Sequence, residues 1–478
     1  MNLIKKNSTI WLSLLLSFTT IISFSQEKWN LKQCIDYALE HNIQVKQANL
    51  NIELANVNSW QNRANSLPSV NGNASHSYNF GRTIDPFTNQ FADDMIRSNN
   101  FSLTGGLNLF SGFQNVNSIK QGQLEYQANK YDSERIKNDI SLSIATAYLQ
   151  ILFSEELMQI AINQVDITTQ QVKRTTRLVE AGTLARGSLL EVEAQLATEE
   201  LNLVNSQNQL DMAYLSLRHF LALPLDKELN IVRPILQLPV GDILTASPET
   251  IFTYAAKEMP EIKSAQARVR SSDKGVAIAK GGISPRIFVN GALGTGYSGL
   301  RQRLIGAEPD GFQTIGYTAN TQELVVTPAF NPVFEPIPFN DQINENYNKS
   351  IGFFMTIPIF NGLQTRSAVS RAKIARYNAQ YNLELAELQL SRTVTQAHAD
   401  AVAALKKHHA TARSMEALKE SFKYAEQRFN VGMLNAIEYN NAKNRLVNAE
   451  SNLLQAKYDY IFKLKVLDFY QGKPLVLE

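Results

Sequence analysis

The chain has 478 residues, with 46 Lys and Arg side chains against 44 Asp and Glu side chains, and one cysteine. Because these charges nearly balance, the composition gives no electrostatic reason to expect binding to nucleic acid. The single Cys34 excludes an internal disulfide framework and is interpreted as a packed free thiol. No segment after residue 25 has the roughly 18 consecutive apolar residues of a transmembrane helix, so any membrane-spanning part has to be built from β-strands.

The first 25 residues are typical of a secretory signal peptide. Two lysines precede an apolar run over residues 10–24, and the small residues Ser23 and Ser25 stand before a predicted cut ahead of Gln26. The run is shorter than the roughly 20 residues that a transmembrane helix needs, which favours a cleaved peptide over an N-terminal membrane anchor. The mature chain is therefore predicted to begin at Gln26.

The mature chain consists of two copies of one unit. The segment YALEHNIQVKQA (37–48) matches YAAKEMPEIKSA (254–265), and RLVEAGTLARGSLLEVEAQL (177–196) matches RFNVGMLNAIEYNNAKNRL (428–446). The second copy is longer between Pro285 and Ile357, and we interpret the inserted residues as a surface loop, where an insertion costs little. Internal duplication of this kind predicts that each element of the first copy has a counterpart in the second.

Each copy has the same predicted order: a helix, two strands, a very long helix, a glycine break and a second helix. The first helix of each copy is predicted at 31–65 and 249–281, and the long helices begin near Ser111 and Asn361. Four prolines punctuate the connection between the copies, which is typical of a linker. The predicted boundaries are a signal peptide at 1–25, a first repeat at 26–221, a linker at 222–248, a second repeat at 249–470 and a C-terminal tail at 471–478.

Four stretches alternate apolar and polar residues with the period of two that is typical of β-strands. They lie at 68–80, 99–110, 285–297 and 347–360. Their length and single apolar face favour transmembrane strands, the alternative being a soluble hairpin with one buried face. Since open sheet edges are not tolerated in lipid, other copies of the chain are expected to complete the sheet. Two copies would supply eight strands and three would supply twelve, and the residues alone do not choose between them.

The helices carry a seven-residue repeat, which predicts helix packed against helix in a left-handed coil. A second apolar seam on the helix before the first glycine break predicts a neighbour on each side, as in a ring of helices. The repeated positions are Leu189, Leu196, Leu203, Leu210 and Leu217 in the first copy, and Tyr439, Leu446, Leu453, Tyr460 and Leu467 in the second.

The sequence contains no constellation that supports an enzyme, and no cofactor or metal is expected. GTGYSG (294–299) fits the dinucleotide-binding pattern G-x-G-x-x-G, but no helix follows it and no βαβ unit surrounds it. The histidines are not at metal-binding spacing, and neither a nucleophile elbow nor a P-loop is present. We interpret these glycines as the end of a strand.

The segment around the second glycine break resembles the TolC-like outer-membrane efflux proteins. Arg428, Phe429 and Gly432 form the Arg-aromatic-x-x-Gly pattern that ends a long helix in that family, and the pairs Asn448–Ala449 and Gln455–Ala456 follow it. The resemblance implies an all-α coiled-coil tube joined to a transmembrane β-barrel. In such a homotrimer, four strands per chain form a twelve-stranded barrel in the outer membrane, and a twelve-helix α-barrel extends into the periplasm.

The same resemblance implies an exit duct of a tripartite efflux or secretion system. Its partners would be a periplasmic adaptor (membrane fusion) protein, an inner-membrane transporter and outer-membrane lipid, with no nucleic acid. The competing function is a periplasmic coiled-coil scaffold or adaptor without a channel, which explains the seven-residue repeats but not four strands of membrane-spanning length.

The resemblance also implies functional residues at the two glycine breaks, which become helical hairpin tips near 177–188 and 428–438. Asn441 stands where the family commonly carries an acidic residue, and a solvated helix face is the alternative interpretation of Glu438 and Glu191. The residues that match adaptor-docking positions are Gly182, Thr183, Leu184, Val431, Gly432, Met433 and Leu434. Those that match a narrow periplasmic aperture are Glu438, Asn441, Ser188 and Glu191.

Overall fold

The computed structural model describes residues 28–475 except for 86, 88, 90, 93–94, 225 and 235–246. The predicted signal peptide, the end of the tail and much of the linker lie outside the described residues. Two compact units are present. The first contains the described residues of Met1–Leu54, Gln127–Ala267 and Gln380–Glu478, and the second contains those of Ala55–Tyr126 and Arg268–Ala379.

Apart from the short helix Phe339–Glu345, which occurs only in the second copy, the two copies carry the same helices in the same order, as the duplicated fold class predicts. Each copy has two shorter helices at its start, one helix of 67 residues and one of 35 or 36 residues. At a rise of 1.5 Å per residue, the longest helices span roughly 100 Å. Within the described part of the chain, no helix has an apolar stretch long enough to cross a membrane. The helices are α1 (Leu31–His41), α2 (Ile43–Ala64), α3 (Gln114–Glu180), α4 (Arg186–Leu221), α5 (Pro248–Glu258), α6 (Pro260–Gly281), α7 (Phe339–Glu345), α8 (Gln364–Asn430) and α9 (Ala436–Tyr470).

The first helix of each copy is broken into two, so the prediction of single helices over 31–65 and 249–281 was wrong. The break before α2 is at Asn42, which has an extended backbone and accepts a hydrogen bond from the Gln44 amide at 2.8 Å. The break before α6 is at Met259, because Pro260 follows and disfavours a helical conformation in the residue before it. α5 begins at Pro248, where a missing amide donor costs nothing.

The hydrophobic core of the first unit repeats between the copies. In the first copy α1 packs with α3 and α4, and in the second α5 packs with α8 and α9. Ile144 and Val394 are equivalent and both fully buried, as are Leu217 and Leu467 at the end of the seven-residue repeat. None of the ten repeat positions is exposed. Cys34 lies in this core, and burial raises the pKa of its thiol to about 12.

The second unit contains a four-stranded sheet in which all neighbours are antiparallel. The strand order β1–β4–β5–β8 places a strand of each copy at the centre and leaves β1 and β8 at the edges. Neither outer edge is paired by another described strand. The strands of this unit are β1 (Ser69–Asn79), β2 (Thr83–Ile84), β3 (Phe91–Ala92), β4 (Ile96–Ser111), β5 (Arg286–Ser298), β6 (Gln302–Tyr317), β7 (Leu324–Pro336) and β8 (Asn348–Thr356).

The faces of this sheet differ in polarity, as the alternation in the sequence predicts. Cross-strand partners on one face are apolar, for example Leu103 beside Leu293 and Val289 beside Phe353. The other face carries Asn, Ser and Gly residues along most of its length, with Asn71 beside Thr104. The glycines of GTGYSG lie at the end of β5, where the sequence predicted a strand end.

The inserted residues of the second copy form regular structure, so the prediction of a surface loop was wrong. β6 and β7 pair into a long antiparallel hairpin, and α7 follows it. The stretch predicted as a strand over 347–360 also differs, because β8 ends at Thr356 and Pro358 has no amide to continue a ladder.

Candidate functional site

The first hairpin tip joins α3 to α4 through a glycine turn. Gly182 has a φ of +73° and donates its amide to the Val179 carbonyl, while the Thr183 amide donates to the Leu178 carbonyl, both at 2.9 Å. This pair of hydrogen bonds is the Schellman pattern that ends a helix at a left-handed residue. The Thr183 hydroxyl also donates to Leu178 at 2.7 Å, which ties the turn to the helix end.

The second tip repeats this geometry between α8 and α9. Gly432 has a φ of +78° and donates its amide to Phe429, and Met433 donates to Arg428. Here α9 has a side-chain cap as well, because the Asn435 side chain accepts the Glu438 amide at 2.8 Å. Space around both glycines is open, since a Cβ atom added to either would meet nothing within 4 Å. Glycine is thus favoured by backbone conformation and not by crowding.

A groove of about 910 Å³ lies between the two tips. Two of the predicted aperture residues, Ser188 and Glu438, line this groove. Five of the predicted docking residues also line it: Thr183, Leu184, Gly432, Met433 and Leu434. The structure therefore brings these seven residues together, although they come from segments about 250 residues apart. Gly182, Val431, Glu191 and Asn441 are exposed but do not line this groove.

Large apolar side chains are solvent-exposed at the tips. Val431 is 69% exposed and Met433 is 73% exposed, and Leu184 is also exposed. Exposed apolar side chains at the end of a helical hairpin are typical of a contact surface for another protein. Glu426 and Glu438 supply carboxylates at the groove and Arg174 supplies a guanidinium, so the surface combines apolar contacts with charges of both signs.

One contact between the hairpins and one within the second hairpin fix the shape of the groove. The Arg174 guanidinium of α3 donates to the Asn430 side chain at 2.8 Å. The rings of Phe429 and Tyr439 stack with centroids 4.5 Å apart, and burial is the main cause that raises the pKa of the Tyr439 hydroxyl. Arg174 and Asn430 were missed in the sequence, because the pair connects elements that no local spacing links. Phe429 and Tyr439 were both singled out there, but they were not paired with each other.

A buried polar cluster lies farther along the same helices. The Lys443 ammonium of α9 donates to the Thr168 hydroxyl of α3 at 2.6 Å, and the lysine is only 3% exposed. Burial lowers the pKa of Lys443, and the Glu199 carboxylate opposes that shift in part. Glu199 in turn accepts a hydrogen bond from Gln195 at 2.6 Å. The signal in the sequence was a charged residue within a stripe of seven-residue spacing, Val192, Glu199, Ser206 and Ala213.

Comparison with known proteins places both tips inside a matched region. The family model described as outer membrane efflux protein matches residues 34–223 and 253–472, which is most of the chain. Outer membrane protein TolC of Escherichia coli (strain K12) is 24% identical over 326 residues. That alignment covers 67% of this chain and 58% of the TolC protein, so it spans less than two thirds of the relative's length.

Two further comparisons extend along most of the chain. Outer membrane protein TolC of Vibrio cholerae serotype O1 is 21% identical over 374 residues, which covers 77% of this chain and 76% of the relative. The crystal structure of the outer membrane protein VceC from Vibrio cholerae has a TM-score of 0.73 at 16% identity, covering 93% of this chain and 96% of that chain. For the described residues, this similarity confirms the predicted fold of the single chain, in which long helices are joined to a sheet with four strands per chain.

Proposed function

Because the chain belongs to the outer membrane efflux protein family, we propose that it is the exit duct of a tripartite efflux or secretion system. It is a protein of the outer membrane, and in this proposal its helices extend into the periplasm. Substrates would pass to the exterior from an inner-membrane transporter and a periplasmic adaptor protein. The observation that carries the proposal is the groove between two glycine-ended tips, in a chain with the fold of an outer-membrane channel. The duct requires no catalytic group of its own.

The duct is a homotrimer in this proposal. No described strand pairs with the outer edges of β1 and β8, and three copies of a four-stranded sheet supply twelve strands, enough to surround a passage. The helices α2 and α8 also present apolar side chains at helical spacing that no described residue covers. These exposed residues are Ile43, Leu50, Leu54, Val57 and Trp60 on α2, and Ile374, Tyr377, Tyr381, Leu385 and Leu388 on α8. Neighbouring copies are the natural cover for such stripes.

Outer-membrane lipid would contact the apolar face of the four-stranded sheet. Val70, Leu103, Ile351 and Phe353 on this face are all exposed in the single chain. A periplasmic scaffold without a channel would leave the same face in water, at a cost of about 25 cal/mol for each Å² of apolar surface. The sheet therefore favours the duct over the scaffold.

The tips would dock the adaptor, and the residues beside them would line the aperture. Val431, Met433 and Leu184 offer exposed apolar contacts, while Gly182 and Gly432 allow close approach of a partner's backbone. Along the start of α4 and α9, we assign Ser188, Glu191, Glu438 and Asn441 to the aperture. With Asn441 in place of an acid, the negative potential there comes from the two glutamates.

The substitution Gly432→Asp tests the proposal. We expect it to abolish adaptor docking and export, because a side chain and a negative charge are added where the adaptor approaches. Trimers should persist in the outer membrane, since the added Cβ meets nothing and aspartate tolerates a positive φ better than most residues. The measurements are export of a transported drug or protein, and crosslinking of a Met433→Cys side chain to the adaptor.

Gly362→Asp is the matched control. Gly362 also has a positive φ and open space around its Cβ position, and it lies between β8 and α8 in the second unit. Export at the wild-type level in the Gly432 variant, or loss of its trimer while the control keeps one, would contradict the docking role.

A further inference from the structure

The β6–β7 hairpin has one face that is almost entirely apolar. β7 alternates regularly, and three register shifts in β6 each insert one residue, which keeps Leu304, Phe312 and Tyr317 of β6 on the same face as the apolar side chains of β7. Without these bulges, strict alternation would turn part of the apolar set to the opposite side. The residues of this hairpin apolar face are Leu304, Ala307, Pro309, Phe312, Thr314, Tyr317, Leu324, Val326, Pro328, Phe330, Pro332 and Phe334.

The opposite face of the hairpin is mostly polar. Arg303 and Glu335 form an ion pair at 3.4 Å, and Gln313 lies beside Thr327. On the hairpin apolar face, by contrast, Phe312 is 73% exposed and no described residue covers it. A two-stranded hairpin alone in water is marginally stable at best, so the contrast between the faces indicates that the apolar one is covered in the mature protein.

The base of the hairpin is fixed to the four-stranded sheet. The buried Gln342 side chain donates to the carbonyls of Ser298 and Ile337 and accepts the Ser298 amide, each at 2.9 Å. The Ile337 amide also donates to the Arg301 carbonyl at 3.1 Å. The hairpin is thus held at the end of β5, and every copy in a homotrimer would carry it at an equivalent place.

Two observations limit what covers the hairpin apolar face. Prolines at 309, 328, 332 and 336 lack amide donors, and the bulges twist the ladder, so neither edge suits pairing with a further strand. The ion pairs Arg301–Glu345 and Arg303–Glu335 lie at the base of the hairpin, where it leaves the sheet. Charged side chains mark the water side of a membrane strand, so the face extends beyond lipid.

We propose that the hairpin apolar face is covered by the equivalent face of neighbouring copies of this chain. The inference rests on the homotrimer of the proposed function and adds an interface beyond the sheet and the helices. Two strands of about 13 residues, at 3.3 Å per residue and 4.8 Å between strands, present roughly 400 Å². Soluble proteins rarely leave contiguous apolar patches larger than a few hundred Å² exposed. Because the three hairpins belong to one trimer, their identical faces are present at a high effective concentration for one another.

The test uses two adjacent valines that face opposite sides of β7. Val326 lies on the hairpin apolar face and is 48% exposed in the single chain, while Val325 lies on the opposite face and is 38% exposed. Each is changed to cysteine in a full-length chain that carries Cys34→Ala, and outer membranes are treated with a hydrophilic maleimide or a short bifunctional maleimide. We expect Val326→Cys to react at least about tenfold more slowly than Val325→Cys and to form crosslinked dimers, because reaction requires access to the thiol.

The outcomes separate this interface from the homotrimer itself, whose presence is measured on the same samples by native electrophoresis. If trimers are present but both cysteines react equally fast and no dimer forms at Val326→Cys, the interface is absent and the proposed function stands. Crosslinking of Val326→Cys to a different protein would overturn the proposal in favour of a heterologous partner. Absence of trimers would overturn the proposed function and this interface together. Phe330→Cys, on the same face, should behave as Val326→Cys does.

Discussion

At the scale of single residues, Lys443 shows how a charged side chain is accommodated between packed helices. Its ammonium has the Thr168 hydroxyl as its hydrogen-bond acceptor, and no carboxylate lies within ion-pair distance among the described residues. Thr168 donates its own proton to the Gln164 carbonyl, so its oxygen is free to accept. The charge is therefore held by one neutral partner, and burial makes the charged form costly.

Lys443→Met is predicted to raise the free energy of unfolding by about 1 kcal/mol, since methionine fills similar space without a charge. The unfolding temperature should rise accordingly. The pKa of Lys443 is lowered from 10.5 in the folded chain, so the unfolded chain binds more protons between the folded pKa and 10.5. Wild-type stability should thus rise with pH across that window, and the advantage of the variant should shrink. Thermal unfolding at neutral and alkaline pH measures both effects.

Lys406→Met is the control, because Lys406 is exposed on α8. It should leave the unfolding temperature within experimental error. If Lys443→Met instead lowers that temperature by several degrees, the attraction between Lys443 and Glu199 outweighs the cost of burial.

Residue-level features were predictable where the requirement is local. The glycines of both tips could be found because a Schellman turn needs a left-handed residue at one position, whatever surrounds it. Arg174 and Asn430 could not be paired from the sequence, and neither could Lys443 and Thr168. Their partners are roughly 250 residues or more apart and meet only when α3 packs against α8 and α9.

At the scale of elements, periodicity predicted the helical seams and failed at the hairpin. The seven-residue repeat depends on one regular helix, so its members are buried or half-buried as expected. In β6 the bulges beyond Leu304, Pro309 and Thr314 interrupt the period of two, and prolines interrupt the strand composition. A search for a strict period of two in the sequence therefore finds no strand there, although the hairpin has distinct apolar and polar faces.

Leu467→Ala is predicted to destabilise the chain by about 2–5 kcal/mol, because the side chain is fully buried in the core formed with α5 and α8. The equivalent Leu217→Ala should have a similar effect, since the copies pack alike. Denaturant unfolding of the detergent-solubilised protein gives both values. Leu201→Ala, at an exposed position of α4 that lies outside the stripes on α2 and α8, is the control within the same residue type. Equal losses at Leu467 and Leu201 would contradict the assignment of the core.

At the scale of the whole molecule, folding of the chain and association of copies in the proposed homotrimer use different side chains. The cores within the chain involve one side of each long helix, and the stripe on α8 remains exposed. A substitution in that stripe should therefore affect association alone. The fold of the chain could be predicted from its sequence, but the number of copies could not, because four strands are compatible with eight or twelve in total.

Leu385→Asp is predicted to abolish trimers while leaving the helical content of the chain unchanged. Leu385 is 64% exposed in the single chain, and a carboxylate there would be desolvated in each of three equivalent contacts. Circular dichroism measures the helix, and native electrophoresis measures the association. Asn382→Asp adds the same charge one turn away, off the stripe, and should assemble normally. A normal yield of trimers from Leu385→Asp would show that the stripe faces something other than another copy.

The strand order of the sheet also governs when the sheet can form. β4 and β5 are neighbours, yet the paired residues Ser98 and Ser298 are 200 residues apart in the chain (298 − 98). Contacts across so long a loop form slowly, whereas helices form from local contacts. The β1–β4 pair therefore has an open edge until β5 of the second copy pairs with it, and that edge is a template for wrong pairing. In the proposed homotrimer the outermost edges close only when copies meet, so the rate of maturation should increase with the concentration of the chain.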